Sequence, residues 1–159
     1  MGRTSRTTDP DGAPYRWELF ATTTAGVVEN ELDRCLAERC TTQYEYDMLI
    51  SRVEARLERA SQGGLGGSDD EPSPDPVVSQ PALWETRWSF KKRRELRLYH
   101  GEPLSVPDLL FGLKYHWKRL DGLSADEIES AQNAEMAEAA TRYRASSCYS
   151  SADEQPHPN

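Results

Sequence analysis

Basic and proton-transferring side chains are concentrated in the middle of the chain. Arg87, Arg97 and Lys114 stand in three successive segments, and Tyr99 and His116 lie close to them in sequence. Cleavage of RNA by its own 2'-hydroxyl needs a proton acceptor, positive charge for the phosphorane and an acid for the leaving oxygen. Arg87 and Arg97 predict a bidentate clamp on the scissile phosphate. For Lys114 we predict the role of a further hydrogen-bond donor to the phosphate, or that of a base if neighbouring cations lower its pKa.

Aromatic and additional basic side chains extend this candidate site. Tyr99, Tyr115 and His116 can stack on a base or transfer a proton, and the sequence leaves the three unranked. Tyr115 is accordingly assigned to RNA binding. The remaining cations of this region predict contacts along the phosphate backbone; they are Lys91, Lys92, Arg93, Arg94, Lys118 and Arg119.

Each of these residues also has an ordinary structural interpretation. Arg87 can form a cross-strand ion pair with Glu85 or Glu95. The charged run at 91–94 is typical of a solvated hairpin corner, and His116 can be a packed or surface residue. The residue types alone leave both interpretations open.

Three segments with strand patterning must position these side chains. Residues 84–90 and 95–99 alternate bulky and polar residues, which is the period of a half-buried strand. Residues 109–114 are apolar on both faces, as expected of a central strand. Together they predict an antiparallel meander with one aromatic-aliphatic face and one basic face.

The segments before the meander predict one short strand and two helices. The strand covers about 15–21, and apolar residues at helical spacing predict helices over about 26–39 and 42–60. Thr42 and Glu45 form a possible capping box for the second helix. Its single apolar stripe indicates core packing, with a groove for a partner helix as the alternative.

Composition predicts the domain boundaries. Residues 1–14 predict a disordered leader, residues 61–80 a flexible linker rich in Gly, Pro, Ser and Asp, and residues 146–159 a disordered tail. Residues 15–145 then form a single α+β domain. The linker glycines lack the following Lys-Ser/Thr of a phosphate-binding loop.

Charge is distributed unevenly along the chain. Its 159 residues carry a net charge of -8. Residues 84–120 nevertheless hold nine basic and four acidic side chains, a net +5, whereas residues 121–159 hold two basic and eight acidic ones, a net -6. Ser124 and Glu127 form a capping box for an Ala-rich acidic helix over about 125–144. We hypothesise that this helix lies over the basic sheet and mimics RNA or a neutralising protein partner.

The cysteines, histidines and hydropathy exclude several classes of protein. Cys35, Cys40 and Cys148 have no CxxC spacing and are typical of reduced thiols. They form no zinc pattern with the three histidines, so neither a metal site nor a cofactor is predicted. No apolar run approaches the length of a membrane span, and the N-terminus lacks the apolar core of a signal peptide. The sequence therefore predicts a cytoplasmic protein without a membrane partner.

The same residues resemble a known family. The strings Leu-Trp-Glu-x-Arg at 83–87, Arg-x-Tyr at 97–99 and Leu-Leu-x-Gly-x-Lys at 109–114 resemble the RelE/HigB superfamily of toxins, especially its phage-derived branch. The string at 124–131 is similar to the helix that follows the last strand in that branch. The resemblance extends more weakly over 15–145. It implies a small twisted antiparallel sheet packed on two N-terminal helices, here with an extra C-terminal helix.

Membership would imply the toxin of a type II toxin-antitoxin module, a metal-independent endonuclease that cleaves mRNA on the ribosome. A cognate antitoxin of helix-turn-helix type would neutralise it and could join it into an oligomer. The alternative is a catalytically inactive binding protein on the same fold, which holds a protein partner or RNA through the basic sheet. Relatives are usually basic and compact, whereas this chain is acidic and runs well past Lys118. The nuclease hypothesis requires Arg87, Arg97 and Lys114 to converge on one pocket.

Overall fold

One mixed sheet positions the other elements. A computed structural model describes residues 3–22, 25–90, 94–118 and 122–155. Within them the sheet has the strand order β1-β5-β4-β3-β2. The strands are β1 Arg16–Leu19, β2 Asp75–Pro76, β3 Leu83–Phe90, β4 Arg94–Gly101 and β5 Leu109–Lys118.

The predicted meander and the α+β class are confirmed, whereas a wholly antiparallel sheet is wrong. β3, β4 and β5 pair antiparallel, and β2 extends the sheet beside β3. β1 pairs with β5 in parallel. Two helices and the strands β2, β3 and β4 separate β1 from β5 in the chain. A crossover of that length permits the parallel arrangement, which a short hairpin forbids.

Three helices cover the two faces of the sheet. They are α1 Val27–Arg39, α2 Gln43–Ser61 and α3 Ala125–Arg144. The hydroxyl half of each predicted capping box is present: the hydroxyl of Thr42 accepts from the backbone N–H of Glu45 at 3.1 Å, and that of Ser124 accepts from Glu127 at 3.2 Å. These bonds satisfy N–H groups that a helix start leaves without partners. The Glu45 carboxylate binds the backbone N–H of Thr41 instead of that of Thr42.

Helices α1 and α2 pack on the aromatic-aliphatic face. Val28 and Leu36 of α1 and Val53 of α2 are fully buried against Trp88 and Leu98 of the sheet. The apolar stripe of α2 is therefore core, as its spacing predicts.

Helix α3 packs on the opposite face with its C-terminal half only. Its buried residues are Met136, Ala139, Ala140 and Tyr143, and they contact an apolar cluster that includes Phe111. The approach at Tyr143 is close enough that a side chain in place of Gly101 would collide with its ring. A weak stripe thus suffices because small alanines and a glycine allow the helix and the sheet to come close.

A bulge in β5 decides which side chains share the α3 face. Tyr99 pairs with Lys114, but His100 pairs with Gly112, so Leu113 is an extra residue in β5. The extra residue shifts the alternation by one position, which turns every later side chain of the strand to the other face.

The N-terminal residues differ from the predicted disordered leader. Residues 3–14 form two short 3-10 turns, and Ser5 and Thr7 are buried. The carboxylate of Glu102 accepts from the Ser5 hydroxyl at 2.6 Å and from the backbone N–H of Arg6 at 2.9 Å. His100 contacts the same carboxylate at 2.9 Å. A buried carboxylate after β4 thus fixes the start of the chain.

The predicted linker and tail also contain packed residues. Leu65 and Val77 are buried, and β2 lies inside the stretch predicted as a linker. In the tail Asp153 is buried, accepting from the backbone N–H of Leu104 at 2.9 Å and from the hydroxyl of Tyr143 at 3.1 Å. The domain therefore includes residues on both sides of the predicted boundaries 15 and 145.

Candidate nucleic-acid interface

The five predicted catalytic residues share the α3 face of the sheet. Arg97 lies opposite Arg87 on β3 and opposite His116 on β5, and Tyr99 lies opposite Lys114. For Lys114 and His116 this placement depends on the bulge at Leu113. The predicted common face is therefore present across three neighbouring strands.

Arg97 is buried rather than exposed. Its side chain is 3% exposed and forms ion pairs of 2.6 Å with Glu85 on β3 and of 2.6 Å with Glu95 on its own strand. Burial raises the pKa of Glu85, although the charge of Arg97 acts in the opposite direction. The prediction that Arg97 stands on an exposed face is wrong, because two carboxylates of the sheet enclose its guanidinium. It forms the cross-strand ion pair that the sequence suggested for Arg87.

Arg87 binds at the edge of the sheet. Its guanidinium lies 2.5 Å from the carboxylate of Asp75 on β2, and both side chains are about half exposed. Arg87 and Arg97 therefore stand opposite each other in the backbone but bind separate carboxylates. No shared clamp is formed in this arrangement.

Lys114 is surrounded by three carboxylates. Its ammonium lies 2.9 Å from Glu138 and 3.1 Å from Glu135, both on α3, and 3.2 Å from Glu31 on α1. Burial acts to lower the pKa of Lys114, but hydrogen bonds to Glu138 and Glu135 and the charge of Glu31 outweigh it and raise that pKa. Lys114 is thus a charged donor, and the suggestion that neighbouring cations lower its pKa is wrong.

Glu31 connects α1, the sheet and α3. Its carboxylate accepts from Arg142 at 2.8 Å and 2.7 Å and from the backbone N–H of Tyr115 at 3.4 Å. That N–H needs a partner because β1 pairs with β5 only as far as Gly112. The sequence analysis did not select Glu31. Its signal was a charge within the apolar stripe of α1, one turn from Val28 and Cys35.

Tyr99 and His116 form a closed pair. Their rings are stacked with centroids 5.3 Å apart, and the Tyr99 hydroxyl lies 3.0 Å from His116 Nε2. His116 Nδ1 lies 3.2 Å from the carbonyl of Trp117, which can only accept. Burial lowers the pKa of His116 to about 4 and raises that of Tyr99. At neutral pH the imidazole is uncharged, donates through Nδ1 and accepts from Tyr99 through Nε2.

A cleft of about 480 Å³ opens beside Lys114 and His116, between α1, β5 and α3. Exposed Arg34 on α1 lines it, and the Arg39 guanidinium lies 5.6 Å from the ring centroid of Trp117. The sequence analysis missed both arginines because α1 showed only an apolar stripe. A smaller cavity beside it is lined by His116 and Lys118, so predicted site residues meet cavities on this side of β5.

The predicted RNA-binding residues have different positions. Tyr115 is buried on the α1/α2 face, with its ring centroid 6.3 Å from that of Trp88. Lys118 is half-buried and pairs with Glu95 in the backbone register. Arg94 begins β4, with only its backbone described. Three further predictions in the β3–β4 connection and one after β5 lie outside the described residues; they are Lys91, Lys92, Arg93 and Arg119.

The convergence that the nuclease hypothesis requires is not present in this arrangement. Arg87, Arg97 and Lys114 each bind their own carboxylates. The carboxylates differ in one respect: those of Arg97 belong to the sheet, whereas two of the three around Lys114 belong to α3. Movement of α3 would take away two of the three carboxylates around Lys114 but would leave Arg97 paired.

Possible metal ligands, the hydropathy of the helices and comparison with known proteins do not assign a function to this chain. In the ranges that the structure covers, no three His, Cys, Asp or Glu side chains are grouped as metal ligands. None of the described helices combines the length and apolar character needed to cross a membrane. Comparison with protein-family models, curated proteins and solved structures finds no match to this chain.

Proposed function

We propose that this chain binds single-stranded RNA in the cleft beside Lys114 and is not competent for cleavage in the described arrangement. The observation that carries this proposal is the position of Lys114. It is a buried ammonium at the wall of a cleft that Arg34 and Arg39 also line, together with the carboxylates of Glu31, Glu38 and Glu135. Ammonium and guanidinium groups supply most of the affinity of proteins for a phosphate backbone.

A second candidate is the toxin of a type II module, a metal-independent mRNA endonuclease that acts on the ribosome in the cytoplasm and is neutralised by an antitoxin. The adjacency of Lys114, Tyr99 and His116 favours it, since an ammonium can stabilise a phosphorane and Tyr99, hydrogen-bonded to His116, can relay a proton to the imidazole. The two helices on a small sheet support this candidate, whereas the parallel pairing of β1 departs from the antiparallel sheet that the resemblance implies. The paired state of Arg97 argues against its role as a phosphate clamp.

Fluorescence anisotropy with a labelled single-stranded oligoribonucleotide tests the binding proposal. Lys114→Ala removes one phosphate contact, and we expect the slope of log affinity against log salt to fall by about 0.7. Arg87→Ala removes a cation from the same face without touching the cleft and should leave that slope unchanged. Lys114→Arg retains the charge and should retain binding, which separates lost contact from misfolding. Equal slopes for Lys114→Ala and wild type would refute the proposal.

Induced expression distinguishes the second candidate. A nuclease arrests growth and cleaves RNA in the presence of a chelator, and His116→Gln relieves the arrest at an unchanged protein level. Binding without arrest or cleavage leaves the first candidate alone.

A further inference from the structure

Helix α3 is attached to the sheet in two different ways along its length. From Met136 onward its buried residues pack on the apolar cluster, whereas none of residues 125–134 is buried. Only Ile128 and Gln132 of that first half are even partly covered. The N-terminal half of α3 therefore has little apolar attachment to the sheet.

Ion pairs hold the helix where the apolar attachment begins. Glu135 and Glu138 lie 3.1 Å and 2.9 Å from the ammonium of Lys114, and their side chains are 34% and 50% exposed. Glu138 is open to water, whereas the Glu135 oxygen that faces Lys114 is buried. Water and salt therefore weaken the Glu138 pair more than the Glu135 pair. By contrast Arg142, one turn after Glu138, is fixed by buried Glu31.

Cavities flank the weakly attached half. The cleft beside Lys114 lies on one side of it, and a second cleft of about 550 Å³, lined by Glu85, Ile128 and Met136, lies on the other. Residues 125–138 carry five carboxylates and no cation. Three of them, Asp126, Glu127 and Glu129, lie in the first half, and the two that contact Lys114 follow it.

We propose that the first half of α3 is an internal competitor for RNA: Glu135, at the end of this half, occupies the position of an RNA phosphate at Lys114, so RNA binds only when this half-helix lifts. The proposal rests on the proposed RNA-binding function and specifies how the site is controlled. After lifting, Lys114 keeps Glu31 and Glu138, both of which Arg142 also binds. The ligand class is a single-stranded polyanion, because a flexible phosphate chain can place one phosphate where the Glu135 carboxylate was.

Charge-matched variants of α3 test the proposal. Glu135→Gln removes a carboxylate bound to Lys114, and Glu129→Gln removes one from the same helix that lines the other cleft. We expect Glu135→Gln to tighten binding of a labelled oligoribonucleotide by roughly two- to fivefold relative to Glu129→Gln. The double variant Glu135→Gln/Glu138→Gln should tighten it further. Thermal unfolding of each variant checks that the fold is retained.

Amide hydrogen exchange supplies an independent readout. Residues 125–134 should exchange faster when RNA is bound and in Glu135→Gln, while residues 136–143 keep their protection. Equal affinities for Glu135→Gln and Glu129→Gln, or slower exchange of residues 125–134 with RNA, would overturn the competitor model while Lys114-dependent binding remained. Absence of RNA binding in every variant, the double variant included, would overturn both proposals.

Discussion

Different interactions stabilise the two faces of the sheet. On the α1/α2 face, Trp88, Leu96 and Leu98 are fully buried and are covered by apolar residues of both helices. On the α3 face the apolar cluster gives way to Arg97 and Lys114, whose charges are matched by carboxylates at 2.6 Å to 3.2 Å.

This difference separates a core from a switchable surface. Apolar packing is non-directional and strong in total, so we expect α1 and α2 to remain packed on the sheet. Buried charges require partners with good geometry, and removal of one partner is costly. Where a partner lies on another element, as for Lys114, the same dependence allows control of the site.

The largest effect is expected from Arg97→Ala. The change leaves the buried carboxylate of Glu85 without its cation, and we expect a loss of roughly 3–5 kcal/mol in the free energy of unfolding. Urea denaturation followed by tryptophan fluorescence measures it. The double variant Arg97→Met/Glu85→Gln removes both charges and should recover much of the loss. A loss below about 1 kcal/mol in Arg97→Ala would show that the ion pair is not buried in solution.

An intermediate effect is expected from pH at His116. Burial lowers its pKa from the ordinary 6.5 to about 4, so the unfolded chain binds this proton more tightly than the folded one. The contribution of neutral His116 to the free energy of unfolding is complete above pH 6.5. It decreases as the pH approaches 4, by up to roughly 3 kcal/mol. The pKa values of Glu102 and Glu138, which are lowered by hydrogen bonds to their partners despite burial, add losses only at lower pH.

His116→Gln isolates this titration. The free energy of unfolding of that variant, measured by urea denaturation between pH 7 and pH 5, should depend less on pH than that of wild type. Identical curves would mean that His116 is accessible to water and protonates freely.

The alternation of residues in β3 and β4 predicted the two faces correctly. Trp88 and Leu98 indeed face one side and Arg97 the other. Periodicity could not predict that Arg97 is buried, because exposure depends on the carboxylates placed around it and on α3. The bulge at Leu113 was equally hidden, since a strand apolar on both faces gives no signal of a one-residue shift.

For a related physical reason, composition could not predict that residues near the two ends of the domain are packed. Polar segments remain disordered only if no buried group binds them. Here Glu102 binds Ser5 and Arg6, which precede it by 97 and 96 residues. Such long-range hydrogen bonds leave no local pattern in the sequence. Glu31 did leave one, a charge in an apolar stripe, and buried charges of that kind are rare enough to be sought.

The smallest effect is expected from Arg87→Ala, the surface counterpart of Arg97→Ala. The two arginines are opposite each other in the register, and each binds a carboxylate at 2.5 Å to 2.6 Å. Arg87 and Asp75 are about half exposed, so water screens the pair and replaces it when it is broken. We expect a loss under about 1 kcal/mol in the free energy of unfolding. A loss as large as that of Arg97→Ala would contradict this expectation. It would show that the β2 edge is structurally essential and that burial does not determine the strength of these two ion pairs.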